Sequence, residues 1–181
     1  MNTPNLQLPG NELGLFTDLY ELTMSQAFLR QGMTATATFS LFTRTYPPNR
    51  GYFVSAGLED VLNFLSNLSF SAEAIDYLRV TGLFSDDFLE YLSGVRFTGS
   101  VRAIPEGRLF FTDEPAVEIT APLIEAQLVE TFIINQVNLQ TILATKAARC
   151  RSEEHTSELQ TRPKPVCRLL LQQTNRTHHN P

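Results

Sequence analysis

Phe16-Thr-Asp-Leu-Tyr-Glu-Leu-Thr-Met-Ser-Gln-Ala-Phe-Leu-Arg-Gln-Gly32, followed closely by Ala35-Thr-Ala-Thr-Phe-Ser-Leu-Phe42, passes from one structural period to another. In the first half Thr17 or Asp18 can cap a helix, and Glu21 completes the D-x-x-E pattern in which a side chain at the third helical position returns to the cap. Leu19, Leu22, Ala27 and Leu29 supply an approximate apolar face, and Gly32 ends the helix. In the second half Ala35, Ala37, Phe39 and Leu41 alternate with Thr36, Thr38, Ser40 and Phe42. This is the period of two expected of a strand with one face more apolar than the other. A helix that hands over directly to a half-buried strand sets the class as mixed.

The pattern outward from this stretch agrees. A loop from Arg44 to Gly51 with Pro47-Pro48 leads to a second strand, residues 52–55. Gly57 opens a helix with Leu58, Val61, Leu62 and Leu65 on one side, and Ser71 and Ser85 are placed to cap two more, carrying Ile75 and Leu78, then Phe88, Leu89 and Leu92. Strand-like segments follow at 95–97, 101–104, 109–111 and 117–119, with Pro105-Glu106-Gly107 and Asp113-Glu114-Pro115 as turns. Pro122 suits the first turn of a helix running through Leu128 and Phe132 toward Asn135. A last helix is expected over 139–149. Helix, strand pair, helices, strands and helices in that order predict an α+β domain over residues 15–121, preceded by a flexible arm (1–14) and followed by helices (122–150) that lead elsewhere.

Residues 1–150 carry nine Lys and Arg against sixteen Asp and Glu, a charge of −7. That balance argues against a general nucleic-acid or anionic-membrane surface, although a phosphate site needs only a few local donors. All three histidines, His155, His178 and His179, follow residue 150, so chemistry in the body must do without imidazole. Cys150 and Cys167 form neither a disulfide framework nor a zinc spacing. No apolar run approaches the roughly 20 residues of a spanning helix, and a cytoplasmic setting is expected. There is no G-x-x-x-x-G-K-[ST] nucleotide loop and no metal-ligand cluster.

Residues 151–181 stand apart. Arg151-Ser-Glu-Glu-His-Thr-Ser-Glu-Leu-Gln160 resembles a one-frame translation of a sequencing-library adapter (AGA TCG GAA GAG CAC ACG TCT GAA CTC CAG), and residues 172–181 have no apolar period with which to offset ordering entropy. A foreign, disordered tail is the expectation; a genuine disordered extension is the alternative.

Phe16-Thr-Asp-Leu-Tyr-Glu-Leu-Thr-Met24 resembles the N-terminal signature of nicotinate phosphoribosyltransferases. The likeness continues through Phe39-Ser-Leu-Phe-Thr-Arg44, Gly51-Tyr52, Ala56-Gly57-Leu58, Pro105-Glu-Gly107, Glu130-Thr131 and Ala144-Thr-Lys-Ala-Ala-Arg149, and six landmarks in order are far more specific than any one. The resemblance implies an enzyme that joins nicotinate to phosphoribosyl pyrophosphate, giving nicotinate mononucleotide and pyrophosphate for NAD synthesis, with ATP hydrolysis and Mg²⁺. It also implies a sandwich-like α+β domain of a type II phosphoribosyltransferase, truncated at the start of its α/β barrel, and active sites at a homodimer interface. The family's phosphorylatable histidine and phosphate loops fall beyond residue 150, so no catalytic residue is assigned here and this chain is expected to be inactive. The rival readings are a stand-alone dimerisation or ligand-binding module and a related nicotinamide or quinolinate phosphoribosyltransferase.

By the resemblance Tyr20 matches a tyrosine that contacts nicotinate across the subunit interface, and an aromatic face suits a flat pyridine ring; alternatively it simply fills an interface. Thr17 and Asp18 read first as helix caps. Arg44 and Arg50 flank the Pro-Pro loop and suit phosphate or carboxylate, against the plainer reading of solvated loop arginines. Lys146 and Arg149 share a helix face and either meet a phosphate or complement the helix C-terminus. Glu130 lies among Leu128, Val129, Phe132 and Ile133 as a partly buried carboxylate, most simply making a structural hydrogen bond.

Overall fold

A computed structural model describes residues 10–157. Helix α1 (Leu19–Arg30) begins where Asp18 is extended, and Glu21 turns back to accept the Asp18 N–H at 3.2 Å, as the D-x-x-E pattern predicts. The chain leaves the helix through Gly32 at φ 64°, a left-handed position that suits glycine. The buried face differs from expectation: it is Glu21, Leu22, Ser25 and Gln26, while Leu19 and Ala27 point outward. Polar side chains are buried here because each of two finds partners far along the chain. Gln26 bonds the Leu83 carbonyl and the Ser85 N–H at 3.3 and 2.7 Å, and Glu21 bonds Thr131.

Strand β1 (Thr36–Phe42) pairs antiparallel with β5 (Pro115–Pro122), which also pairs with β3 (Ser100–Ala103), giving the order β1-β5-β3. The register sets Phe39 and Val101 on either side of Ile119. Alternation then puts Phe39, Leu41, Val101, Val117 and Ile119 on the core side. The other face is polar, with the Thr38 and Thr120 hydroxyls 2.8 Å apart and Glu118 accepting from Ser40. A ribbon of β2 (Phe53–Val54) and β4 (Leu109–Phe110) forms a second small sheet. Residues 95–97, expected as a strand, pair with nothing and form the link into β3.

Helices α2 (Leu58–Ser66), α3 (Ala72–Thr81) and α4 (Asp86–Gly94) pack their apolar faces into one core. Ser71 caps α3 by accepting the Ala74 N–H at 3.2 Å; at α4 the Ser85 hydroxyl makes no cap bond. Helix α2 starts at Gly57, whose φ of 98° and whose closeness to the Gln136 carbonyl, 3.0 Å from where a Cβ would sit, leave room only for glycine. Its first three N–H groups, from Gly57, Leu58 and Glu59, converge on Glu106 Oε1 at 2.8, 2.7 and 3.3 Å. A carboxylate from the Pro105-Glu106-Gly107 turn thus satisfies the orphan donors of a distant helix.

Helix α5 (Leu123–Leu128) follows directly on Pro122, and the chain bends at Val129 before α6 (Glu130–Ser157). Sequence reading places the break near 135–139; the backbone puts it at Val129. No Gly or Pro lies between Glu130 and Ser157, so nothing local interrupts the helix once it has restarted. It therefore continues over the first residues of the expected tail; residues 158–181 lie outside the described residues. The expected arm is likewise part of the fold from Gly10, where a 3₁₀ turn (Gly10–Leu15) buries Leu13. On the core side Phe132 of α6 stacks on Phe64 of α2 with centroids 3.9 Å apart, and Phe16 meets it edge-on at 5.4 Å.

Candidate active-site face around Tyr20

The first turn of α1 and the start of α6 meet at one buried carboxylate. Glu21 is 0% exposed. Its Oε2 accepts from the Thr17 hydroxyl and the Asp18 N–H, and its Oε1 accepts from the Thr131 N–H at 3.0 Å and the Thr131 hydroxyl at 2.8 Å. The same hydroxyl stands 3.0 Å from Asp18 Oδ2. Burial pushes the Glu21 carboxyl above its usual range, while the Thr17, Thr131 and Asp18 hydrogen bonds pull the other way.

Tyr20, next in sequence, is 46% exposed. Its phenol stands 3.5 Å from Glu21 Oε1, and the Glu130 carboxylate is near enough to act on it. Partial desolvation, then the charges of Glu130, Glu21 and Asp18, push that phenol up to about 12, so it stays a protonated donor through the neutral range. Gln127 Nε2 donates to Glu130 Oε2 at 2.9 Å. Glu130 also borders a cleft of about 90 Å³ between the sheet and α6, lined mainly by apolar groups such as Phe39, Leu41, Ile119 and Ile133.

Of the residues singled out from sequence, Thr17, Asp18, Tyr20 and Glu130 come together here. Asp18 is the helix cap; Thr17, read first as a cap, gives its hydroxyl to Glu21 instead. Glu130 does make a structural hydrogen bond, to Gln127. Arg44 and Arg50 lie in the β1–β2 loop, Arg44 exposed and Arg50 half-buried, and neither forms an ion pair among the described residues. Lys146 and Arg149 sit about 24 and 28 Å along α6 from Glu130 at 1.5 Å per residue, so they belong to another part of the surface.

Sequence reasoning missed Thr131 and Gln127 as parts of this constellation and treated Glu21 only as a local capping residue. It also gave no role to Thr141 and Thr145, both buried. The Thr145 hydroxyl accepts the Val54 N–H at 2.9 Å and that of Thr141 accepts the Ala56 N–H at 3.4 Å, fastening β2 to α6. Their spacing of four on a helix next to apolar neighbours was the signal available.

A family model described as the nicotinate phosphoribosyltransferase N-terminal domain matches residues 15–138. A nicotinate phosphoribosyltransferase of Mycobacterium tuberculosis is 56% identical over 135 residues, covering 75% of this chain and 29% of the relative. One from Bacillus subtilis is 43% identical over 142 residues, covering 78% and 29%. Among solved structures, human nicotinic acid phosphoribosyltransferase superposes with a TM-score of 0.69 at 33% identity over 76% of this chain and 28% of its own. The nicotinate-nucleotide pyrophosphorylase of Pyrococcus furiosus, at 17% identity and a TM-score of 0.52 over 75% of this chain and 28% of its own, shares the fold. The chain thus spans under a third of the length of the curated relatives it matches.

Proposed function

The chain belongs to the family of nicotinate phosphoribosyltransferase N-terminal domains, and from that premise we propose that it serves the synthesis of nicotinate mononucleotide and pyrophosphate from nicotinate and phosphoribosyl pyrophosphate, coupled to ATP hydrolysis, in the cytoplasm. The family match over residues 15–138 carries the reading, because it takes in Tyr20 and every element that positions it. A half-exposed ring on a fixed helix offers a flat face to a pyridine, at little cost in side-chain freedom. In a homodimer that face is offered to the partner subunit's site. Displacing pyrophosphate from ribose builds positive charge on the sugar, so positioning of the ring nitrogen and neutralisation of the leaving group dominate. For the second task the basic side chains within the family landmarks are Arg44, Lys146 and Arg149, and Arg50 flanks the same loop as Arg44.

The family's ATP-coupling histidine has no counterpart in residues 15–149, which contain no histidine. Among the described residues no group of three or more His, Cys, Asp or Glu is placed to hold a metal ion.

The test is direct. Nicotinate titrated into the purified chain is expected to quench tyrosine fluorescence, and Tyr20→Leu is expected to abolish that quenching. With phosphoribosyl pyrophosphate, ATP and Mg²⁺ added, chromatography is expected to find no nicotinate mononucleotide. Product formation would overturn the expected inactivity, and equal quenching by nicotinamide or quinolinate would overturn the choice of nicotinate.

A further inference from the structure

We propose that Glu21 and Thr131 form a clamp whose task is to position Tyr20 against Glu130, making both of them positioning residues for the aromatic face that meets the pyridine. The inference rests on the functional reading above for what Tyr20 does, and on geometry for how it is held.

Three of the groups that reach Glu21, from Thr17, Asp18 and Tyr20, belong to its own stretch of chain, and Thr131 lies 110 positions away. Thr131 gives Glu21 both its N–H and its hydroxyl, at 3.0 and 2.8 Å, and the hydroxyl also lies 3.0 Å from the Asp18 carboxylate. The two clamp residues each sit next to one member of the pair formed by exposed Tyr20 and half-buried Glu130: Tyr20 precedes Glu21, and Glu130 precedes Thr131. Holding 21 to 131 therefore holds 20 to 130. Both lie in first turns, where backbone donors have no intrahelical partner and ends fray unless something closes them. Full burial of Glu21 gives the clamp its stiffness, since a buried carboxylate that loses donors is costly and has no water to turn to.

Thr131→Val removes the hydroxyl while keeping shape and every nearby charge. The measurement is a pH titration of the ¹³C-tyrosine-labelled chain by NMR, with the Tyr20 resonance identified by its loss in Tyr20→Phe. The wild-type phenol is expected near 12, Thr131→Val is expected to move it toward the ordinary 10, and Thr131→Ser, which restores the hydroxyl, is expected to bring it back. A bond that only added stability would lower Tm and leave the Tyr20 titration in place, and that result would overturn the proposal. Should Thr131→Val fail to fold, Glu21→Gln is read by nuclear Overhauser contacts between the Tyr20 ring and Glu130: their loss supports the clamp and their retention overturns it. A wild-type titration as expected without nicotinate quenching would sink the functional reading and leave the clamp standing.

Discussion

Glu21 shows what a single position can and cannot announce. Its local half was legible: D-x-x-E at 18–21 predicts a carboxylate turned back on the helix cap, and it is there at 3.2 Å. Its other half was not, because no periodicity or spacing within the stretch encodes a donor on Thr131. The same burial makes a pH prediction. The folded carboxyl titrates above its ordinary 4.5, so the folded state holds the proton more tightly than the unfolded one. The contribution of Glu21 to stability is thus full below pH 4.5 and lost as pH rises through the raised folded value. Thermal melts of wild type and Glu21→Gln from pH 4 to 8 are expected to show the Tm advantage of wild type shrinking upward through that window. A pH-independent difference would mean that Glu21 titrates alike in both states.

Among the elements, α2 depends most visibly on a partner outside itself. Three N–H groups at its start share Glu106, so Glu106→Ala is expected to cost about 1–2 kcal/mol, the range for lost helix caps, in urea unfolding. Gly57→Ala combines a left-handed backbone with a Cβ pressed on the Gln136 carbonyl and is expected to cost at least ~1 kcal/mol in the same assay. Element types were largely readable from sequence, since Gly32, Ser71 and Pro122 mark helix ends through known backbone chemistry. The bend at Val129 was not, because a valine carries no such mark; there α5 packs on α1 and the sheet while α6 packs on β2 and α2.

At the scale of the molecule, the outer side of α6 leaves Leu139 and Leu143 54% and 56% exposed, with Ile142 beside them. An exposed apolar stripe of this kind favours self-association. Leu139→Gln with Leu143→Gln, which keeps good helix formers, is expected to reduce association in size-exclusion chromatography with light scattering at unchanged circular dichroism. The α+β class followed from the order of periods along the chain; strand order did not, because alternation tells which face a strand buries and not which strand lies beside it. That order has a temporal consequence. Among the described residues β1 bonds only to β5, with Thr38 and Thr120 facing each other across 82 positions of chain. During synthesis β1 must wait, edge exposed, until β5 has left the ribosome, so the three-stranded sheet closes late. A nascent chain stopped short of Pro115 is expected to be a substrate for chaperones, whatever its helices have already formed.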